Sequence, residues 1–199
     1  MHRKVIVEIL KILQIYDTAK ICVYKGRSIL KSFLVYLYNY VLTFVPILAL
    51  RIFYLRNFLN IRIGQGCHIG LGTYMLGEIS LGRGCVVGTR CHIVGPLVVG
   101  DNVAIIAHTY IFGTSHYKDS PTFEPFERTV IIDSHAWLGA RSMVLPGCHI
   151  GEGAVLGAAS VATKDLPPFS VAVGAPARVV AKRSSQLEYD FSDYKPYFV

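Results

Sequence analysis

The stretch IGQGCHIGLGTYMLGEISLGRGCVVG, Ile63 to Gly88, decides the fold. Its aliphatic residues return at every sixth position: Ile63, Ile69, Met75, Leu81 and Val87. The same step carried forward meets Ile93, Val99, Ile105 and Ile111 without a polar exception. Glycine often follows, at Gly64, Gly70, Gly82, Gly88 and Gly100, where it permits the backbone angles of a turn. Four positions on, the residue is usually small: Cys67, Thr73, Cys85, Cys91 and Thr109. A period of six belongs neither to a helix nor to simple strand alternation. It describes short strands joined by turns, each strand turning one aliphatic side chain inward, which is the pattern of a β-helix.

The count stops after Ile111 and resumes in a new phase at Ile132, Leu138, Val144, Ile150, Leu156 and Ala162. Fifteen hexads, three to a coil, make about five coils, so the core is all-β. Four of the five cysteines (Cys67, Cys85, Cys91, Cys148) take the small inward slot and read as packing residues. Between Ile111 and Ile132 the chain spends 21 positions where six would do. The excess is extruded as a loop at about 113–129, GTSHYKDSPTFEPFERT, stiffened by Pro121 and Pro125 and carrying His116. A β-helix has flat sides, so a loop on this rigid scaffold is where function is expected.

The net charge of +7 is unevenly spread. Residues 1–62 hold ten Lys/Arg against two acids, Glu8 and Asp17, whereas residues 63–199 hold ten against eleven. The basic segment is rich in Ile, Leu, Val, Tyr and Phe, which favours lipid over nucleic acid. Residues 2–24 have the spacing of an amphipathic helix, with Gly26 as its stop and Ser28 as the next N-cap. From Ser32 to Leu50 there is no charge, but Asn39, Thr43, Pro46 and three tyrosines interrupt the run. Three readings follow: a helix lying in the cytoplasmic leaflet, a helical cap packed on the β-helix or its neighbours, or a membrane span. No cleavable leader is read at the N-terminus, which favours a cytoplasmic setting with reduced thiols. The expected organisation is residues 1–60 as the basic, apolar helical segment, 61–167 as the β-helix, and 168–199 as a C-terminal extension.

The segment from Ile131 to Arg183 resembles the C-terminal signature of hexapeptide-repeat acyltransferases, through AWLGA, TKDLPPFS and GAPARVV. Within that family it is similar to the sugar and polysaccharide O-acetyltransferases, relatives of the galactoside and maltose acetyltransferases. The resemblance implies a left-handed parallel β-helix, a homotrimer, and acetyl-CoA as co-substrate in the groove between adjacent prisms. It implies His116 as the general base, taking a proton from a sugar hydroxyl and returning it to the departing thiolate. It implies that Trp137, Gly139, Ala140 and Ala158, with Ala159, line the pantetheine channel, Trp137 alternatively serving as a packing anchor between prisms. Lys164, Arg178, Lys182 and Arg183 are implied to meet the adenosine phosphates, with a solvated charged face as the alternative, above all for Arg183. Many relatives place an acid or proline after the histidine, where this chain has Tyr117 and Lys118. The acceptor for the other imidazole nitrogen therefore stays open among Asp119, Glu124, Glu127 and a backbone carbonyl.

The function expected is O-acetylation of a sugar in cell-surface glycan biosynthesis at the inner face of the cytoplasmic membrane, with a lipid-linked glycan as one acceptor. The alternatives are an amino-sugar N-acetyltransferase, a non-catalytic scaffold, and a trimer-interface zinc enzyme recruiting His108, His116 and His135. No metal and no nucleic acid are expected. His68, His92 and His149 fall at outward positions and read as surface residues.

Overall fold

A computed structural model describes residues 29–194. Short parallel strands stack on three faces of a prism. Face A stacks β1 (Arg62–Ile63), β4 (Ile79–Leu81), β7 (Leu97–Val99), β12 (Val130–Ile132) and β15 (His149–Ile150). Face B stacks β2 (His68–Ile69), β5 (Val86–Val87), β8 (Ala104–Ile105), β13 (Trp137–Leu138), β16 (Val155–Leu156) and β18 (Ser170–Val173). Face C stacks β3 (Tyr74–Leu76), β6 (His92–Val94), β9 (Tyr110–Phe112), β14 (Met143–Val144) and β17 (Val161–Ala162). The extruded segment forms the antiparallel hairpin β10 (Thr114–His116) and β11 (Pro125–Glu127). A last strand, β19 (Arg178–Lys182), turns back antiparallel on β18.

The register is the hexad count made physical. Leu81 lies opposite Val99, and Val99 opposite Ile132 once the hairpin has been looped out. All fifteen residues of the aliphatic series are buried, from Ile63 to Ala162. Their small neighbours do more than leave room. Cys67 Sγ, Thr73 Oγ1, Cys85 Sγ and Cys91 Sγ donate to the carbonyls of Gly82, Gly88, Gly100 and Ile106 in the next coil. Each corner is thereby tied to the one above it. Burial pushes the Cys91 thiol up to about 11, as suits a packing residue.

The expected five coils continue into a sixth level, because β18 joins face B and Leu166 bridges to Ile150 on face A. The core series hides this step by slipping phase: after Ala162 the next inward residues are Leu166 and Ala172, not Pro168.

At the other end a helical cap closes the first coil. It comprises α1 (Ile29–Tyr40), a 3-10 turn (Leu42–Phe44) and α2 (Leu48–Phe58). A terminal coil exposes unpaired strand edges that invite association, and here side chains of the cap cover all three. The Asn39 amide donates to Met75 O and accepts from Met75 N, at 3.0 and 2.9 Å, in the manner of a further strand on face C. Arg51 Nη1 donates to Ile69 O on face B, and Arg56 Nη2 to Ile63 O on face A. Thr43 Oγ1 adds a bond to Thr73 O. Arg51 is fully buried, and so is Tyr38, whose hydroxyl burial pushes up to about 12 against the pull of Arg51 and Thr43.

Of the three readings for residues 32–50, the packed cap is what the inner side of α1 and α2 forms. No described helix is long and apolar enough to cross a membrane. The outer side leaves Ile29, Phe33, Tyr36, Tyr40, Phe44, Ile47 and Phe53 exposed. The amphipathic pattern at 2–24, Gly26 and Ser28 lie outside the described residues, as does Cys22.

Candidate active site

His116 closes β10, opposite Pro125 of β11. The hairpin springs from the corner where face C passes into face A. Arg128 N donates to Gly113 O and seals its base. Gly113 is needed there: a Cβ would come within 2.6 Å of Pro96 O in the coil below. At the tip, Tyr117 N donates to Glu124 O, and Ser120 Oγ accepts from Thr122 N and Glu124 N. This tight turn carries Phe123 in the left-handed region, φ 52°, and lays its ring on the His116 imidazole, centroids 3.9 Å apart and planes 13° apart. His116 is half-buried, and among the described residues its ring makes no hydrogen bond. Of the three carboxylates proposed to orient it, Asp119 is taken by Lys118. Glu124 and Glu127 are exposed and reach no imidazole nitrogen among the described residues. Stacking on Phe123 orients the imidazole instead.

The residues expected along the pantetheine channel collect elsewhere. Gly139 and Ala140 form the turn from face B to face C in one coil, and Ala158 and Ala159 form it in the next, where Ala159 N donates to Ala140 O. Ala158 and Ala159 are exposed, so this corner is a furrow floored by backbone and methyl groups. Trp137 stands outward on face B beside it, 45% exposed, between Ala104 below and Val155 above. Arg178 opens β19 at the upper end of the same corner, opposite Val173.

The other cations are dispersed. Lys182 pairs with Ser170 at the far edge of face B. Lys164 lies exposed beyond β17, where face C passes to face A, the corner of the hairpin. Arg183 departs from the expected phosphate contact, since its guanidinium donates to His135 O and Gly153 O and covers the Tyr189 ring. It anchors the C-terminal segment rather than facing solvent. In one chain, therefore, His116 and the furrow stand on opposite sides of face C, separated by roughly 15 Å of strand and turn.

His108, His116 and His135 stand at three different corners, and among the described residues no group of three metal-binding side chains gathers. Two other histidines are not the surface residues expected. His68 is only 4% exposed beneath α2 and against Tyr194, so its pKa is held below the usual imidazole range by burial and then by Arg51. His92 is stacked on Tyr74 with centroids 4.5 Å apart, and burial lowers it too. His149 is outward, 2.7 Å from Asp133 Oδ2, at a shallow cavity of about 250 Å³ lined also by Asp165 and Pro167.

Comparison with known proteins agrees with this architecture. The family model described as the hexapeptide repeat of succinyl-transferase matches residues 60–93 and 129–164. A Staphylococcus aureus (strain COL) protein named for acetyl transfer is 52% identical over 66 residues, 32% of this chain and 33% of its own. The galactoside O-acetyltransferase of Escherichia coli (strain K12) is 34% identical over 99 residues, 48% of this chain and 49% of its own. The crystal structure of a maltose O-acetyltransferase from Clostridium difficile 630 superposes with a TM-score of 0.67 at 26% identity, covering 78% of this chain and 85% of that one. The chain thus spans a third to a half of the length of these two curated relatives. By repeat and fold it resembles the hexapeptide-repeat acetyltransferases.

Proposed function

We propose that this chain is an acetyl-CoA-dependent O-acetyltransferase acting on a sugar hydroxyl in cell-surface glycan biosynthesis. The observation that carries the reading is the hairpin, which holds a stacked, half-buried histidine clear of a flat prism. Resemblance to acetyltransferases supplies the donor. The residues present fit acetyl-CoA: the Gly139–Ala140 and Ala158–Ala159 furrow would take a pantetheine chain against the backbone, Trp137 would flank it, and Arg178 would meet phosphate. Bound there, the co-substrate supplies an acyl thioester. His116 would accept the proton of the sugar hydroxyl as that oxygen bonds to the thioester carbon. When the carbon–sulfur bond breaks, the imidazole returns the proton to the thiolate.

His116 and the furrow are held apart on one chain, so the reading requires two copies. His116 of one subunit acts on a donor lying in the furrow of its neighbour, as in a homotrimer. Lys164 shares the hairpin's corner and would face the same neighbour. The exposed aromatic side of α1 and α2, with the basic charge of residues 1–62, is read as contact with an anionic membrane surface holding lipid-linked acceptors.

The test is thiol release from acetyl-CoA with a panel of sugars, for wild type and His116→Ala. General-base loss should lower turnover by about 10²–10⁴-fold with CoA binding intact. Equal rates would remove His116 from the chemistry. Turnover with amino sugars only would make the chain an N-acetyltransferase, and no CoA binding would leave a scaffold.

A further inference from the structure

The left-handed residue of each turn forms a column down each corner, and two of these columns are filled very differently. Between faces A and B the column is Gly66, Gly84, Asn102, His135 and Gly153, all with φ between 55° and 69°. The chain's own C-terminal segment lies along it. Tyr189 Oη donates to His135 O, Phe191 N donates to Asn102 Oδ1, and Ser192 and Leu187 crowd Gly66 and Gly153.

Between faces B and C the column is Gly72, Arg90, His108, Arg141 and Ala159, with φ of 72°, 54°, 61°, 59° and 55°. Each is tied to the coil below: Arg90 N to Leu71 O, His108 N to Thr89 O, Arg141 N to Ala107 O. Common geometry sets Arg90, His108 and Arg141 in one file, about 4.8 Å per coil, so the two arginines bracket the histidine across roughly 10 Å. Left-handed backbone is easy for glycine and costly for arginine, yet cations occupy it here.

Arg90 and Arg141 are exposed, and among the described residues neither guanidinium has a hydrogen bond or ion pair. No carboxylate competes. The turns 70–73, 88–91, 106–109, 139–142 and 157–160 contain no Asp or Glu, nor does any residue from 18 to 77, which includes the whole described cap. Gly72 clears space at the foot, where an added Cβ would meet Arg90 Cγ at 3.1 Å and Phe44.

We infer that this file is an anion site for the diphosphate of a sugar-diphosphate acceptor. The inference rests on the acetyltransferase reading and adds to it the chemical class of the second substrate. Two guanidiniums on one file can each bind phosphate oxygens through paired N–H groups, and the imidazole set between them along the corner adds a further donor. Position selects the acceptor over the donor. Along this corner the alanine furrow separates the file from Arg178, the cation at its upper end. Coenzyme phosphates held at Arg178 leave the thioester end of the furrow pointing toward Arg141, His108 and Arg90, where the second substrate must approach. Beyond Arg90 lie Phe44 and the exposed apolar side of the cap, suited to the lipid of a lipid diphosphate.

Inorganic pyrophosphate is the probe, titrated calorimetrically into the full-length chain. The variants are Arg90→Gly with Arg141→Gly, which remove both cations and relieve rather than strain the backbone. Arg83→Ala, at the covered corner, controls for charge. The double variant should bind pyrophosphate at least about thirtyfold more weakly, Arg83→Ala should match wild type, and all should bind acetyl-CoA alike. Pyrophosphate binding that survives the double change, or that fails instead in Arg178→Ala, overturns the inference. So does wild type that is not saturated at millimolar pyrophosphate. Should thiol release proceed on a sugar without phosphate, with equal KM in wild type and double variant, the acetyltransferase reading stands and this inference falls. Should acetyl-CoA not bind at all, that reading falls, and the pyrophosphate titration still reports on the file.

Discussion

Replacing Asn39 by leucine should unseat the helical cap. The side chain makes two hydrogen bonds to one residue, donating to Met75 O and accepting from Met75 N, in a position only 6% exposed. Leucine matches the volume and offers neither group. Both backbone groups of Met75 are then left in the first coil with no strand beneath them. A buried backbone group without a partner costs about 1–3 kcal/mol, so the pair should cost about 2–6 kcal/mol. The loss falls on the cap and first coil, because later coils pair with one another. Urea denaturation with hydrogen exchange read residue by residue is the assay. The midpoint should fall, and the Met75 amide should lose protection before Ile93 or Ile111 does. Asn57→Leu, removing one exposed bond to Phe53 O, should change stability by less than about 1 kcal/mol. An Asn39→Leu protein within about 0.5 kcal/mol of wild type, with Met75 still protected, would refute the edge-capping argument.

Four further outcomes are expected. Phe123→Ala frees the His116 ring and should lower kcat by about tenfold with little change in KM for acetyl-CoA, whereas a merely structural role would lower the melting temperature instead. His68 has a folded-state pKa below its unfolded value, so the unfolded chain binds more protons and stability falls as pH drops below the unfolded value. The fall should shrink in His68→Gln, as unfolding curves at each pH will report. Tyr189→Phe removes the bond to His135 O and should cost about 0.5–1.5 kcal/mol, measurable as faster proteolysis of the C-terminal segment. The chain should sediment with anionic vesicles, less with neutral ones, and neither after Phe33, Phe44 and Phe53 are changed to serine; sedimentation unaffected by those changes removes the membrane contact.

The prism was legible because packing is repetitive: every coil needs three aliphatic residues at fixed spacing, and fifteen of fifteen are buried. The hairpin was legible as a surplus in that count, and its histidine as the one imidazole on it. Three kinds of information were not legible. Asn39 and Thr43 register in the sequence only as interruptions of an apolar run, since which backbone edge they would meet depends on how the helices dock. Arg51 counts as charge in a composition and is buried in the fold, and His68 sits at an outward position that α2 and Tyr194 then cover. β18 escaped because Ala162 and Ala172 are ten apart, which breaks a count in sixes. That the proposed site residues fall at two corners could have been found. Counting in eighteens puts Arg90 and His108 in one file, adds Arg141 once the fifteen extruded residues are subtracted, and leaves His116 off it. Neighbours in a list of motifs are not neighbours on a prism.

The claim most exposed to test is that His116 of one copy serves the furrow of another. His116→Ala and Ala158→Trp, the second blocking the furrow, should each be inactive as pure proteins. Co-expressed in equal amounts and isolated as mixed trimers, they should recover about a third of wild-type thiol release, because one of the three contacts around each mixed trimer joins an intact histidine to an intact furrow. Mixed oligomers that stay as inactive as their parents would contradict the account and place both halves of the site on one chain.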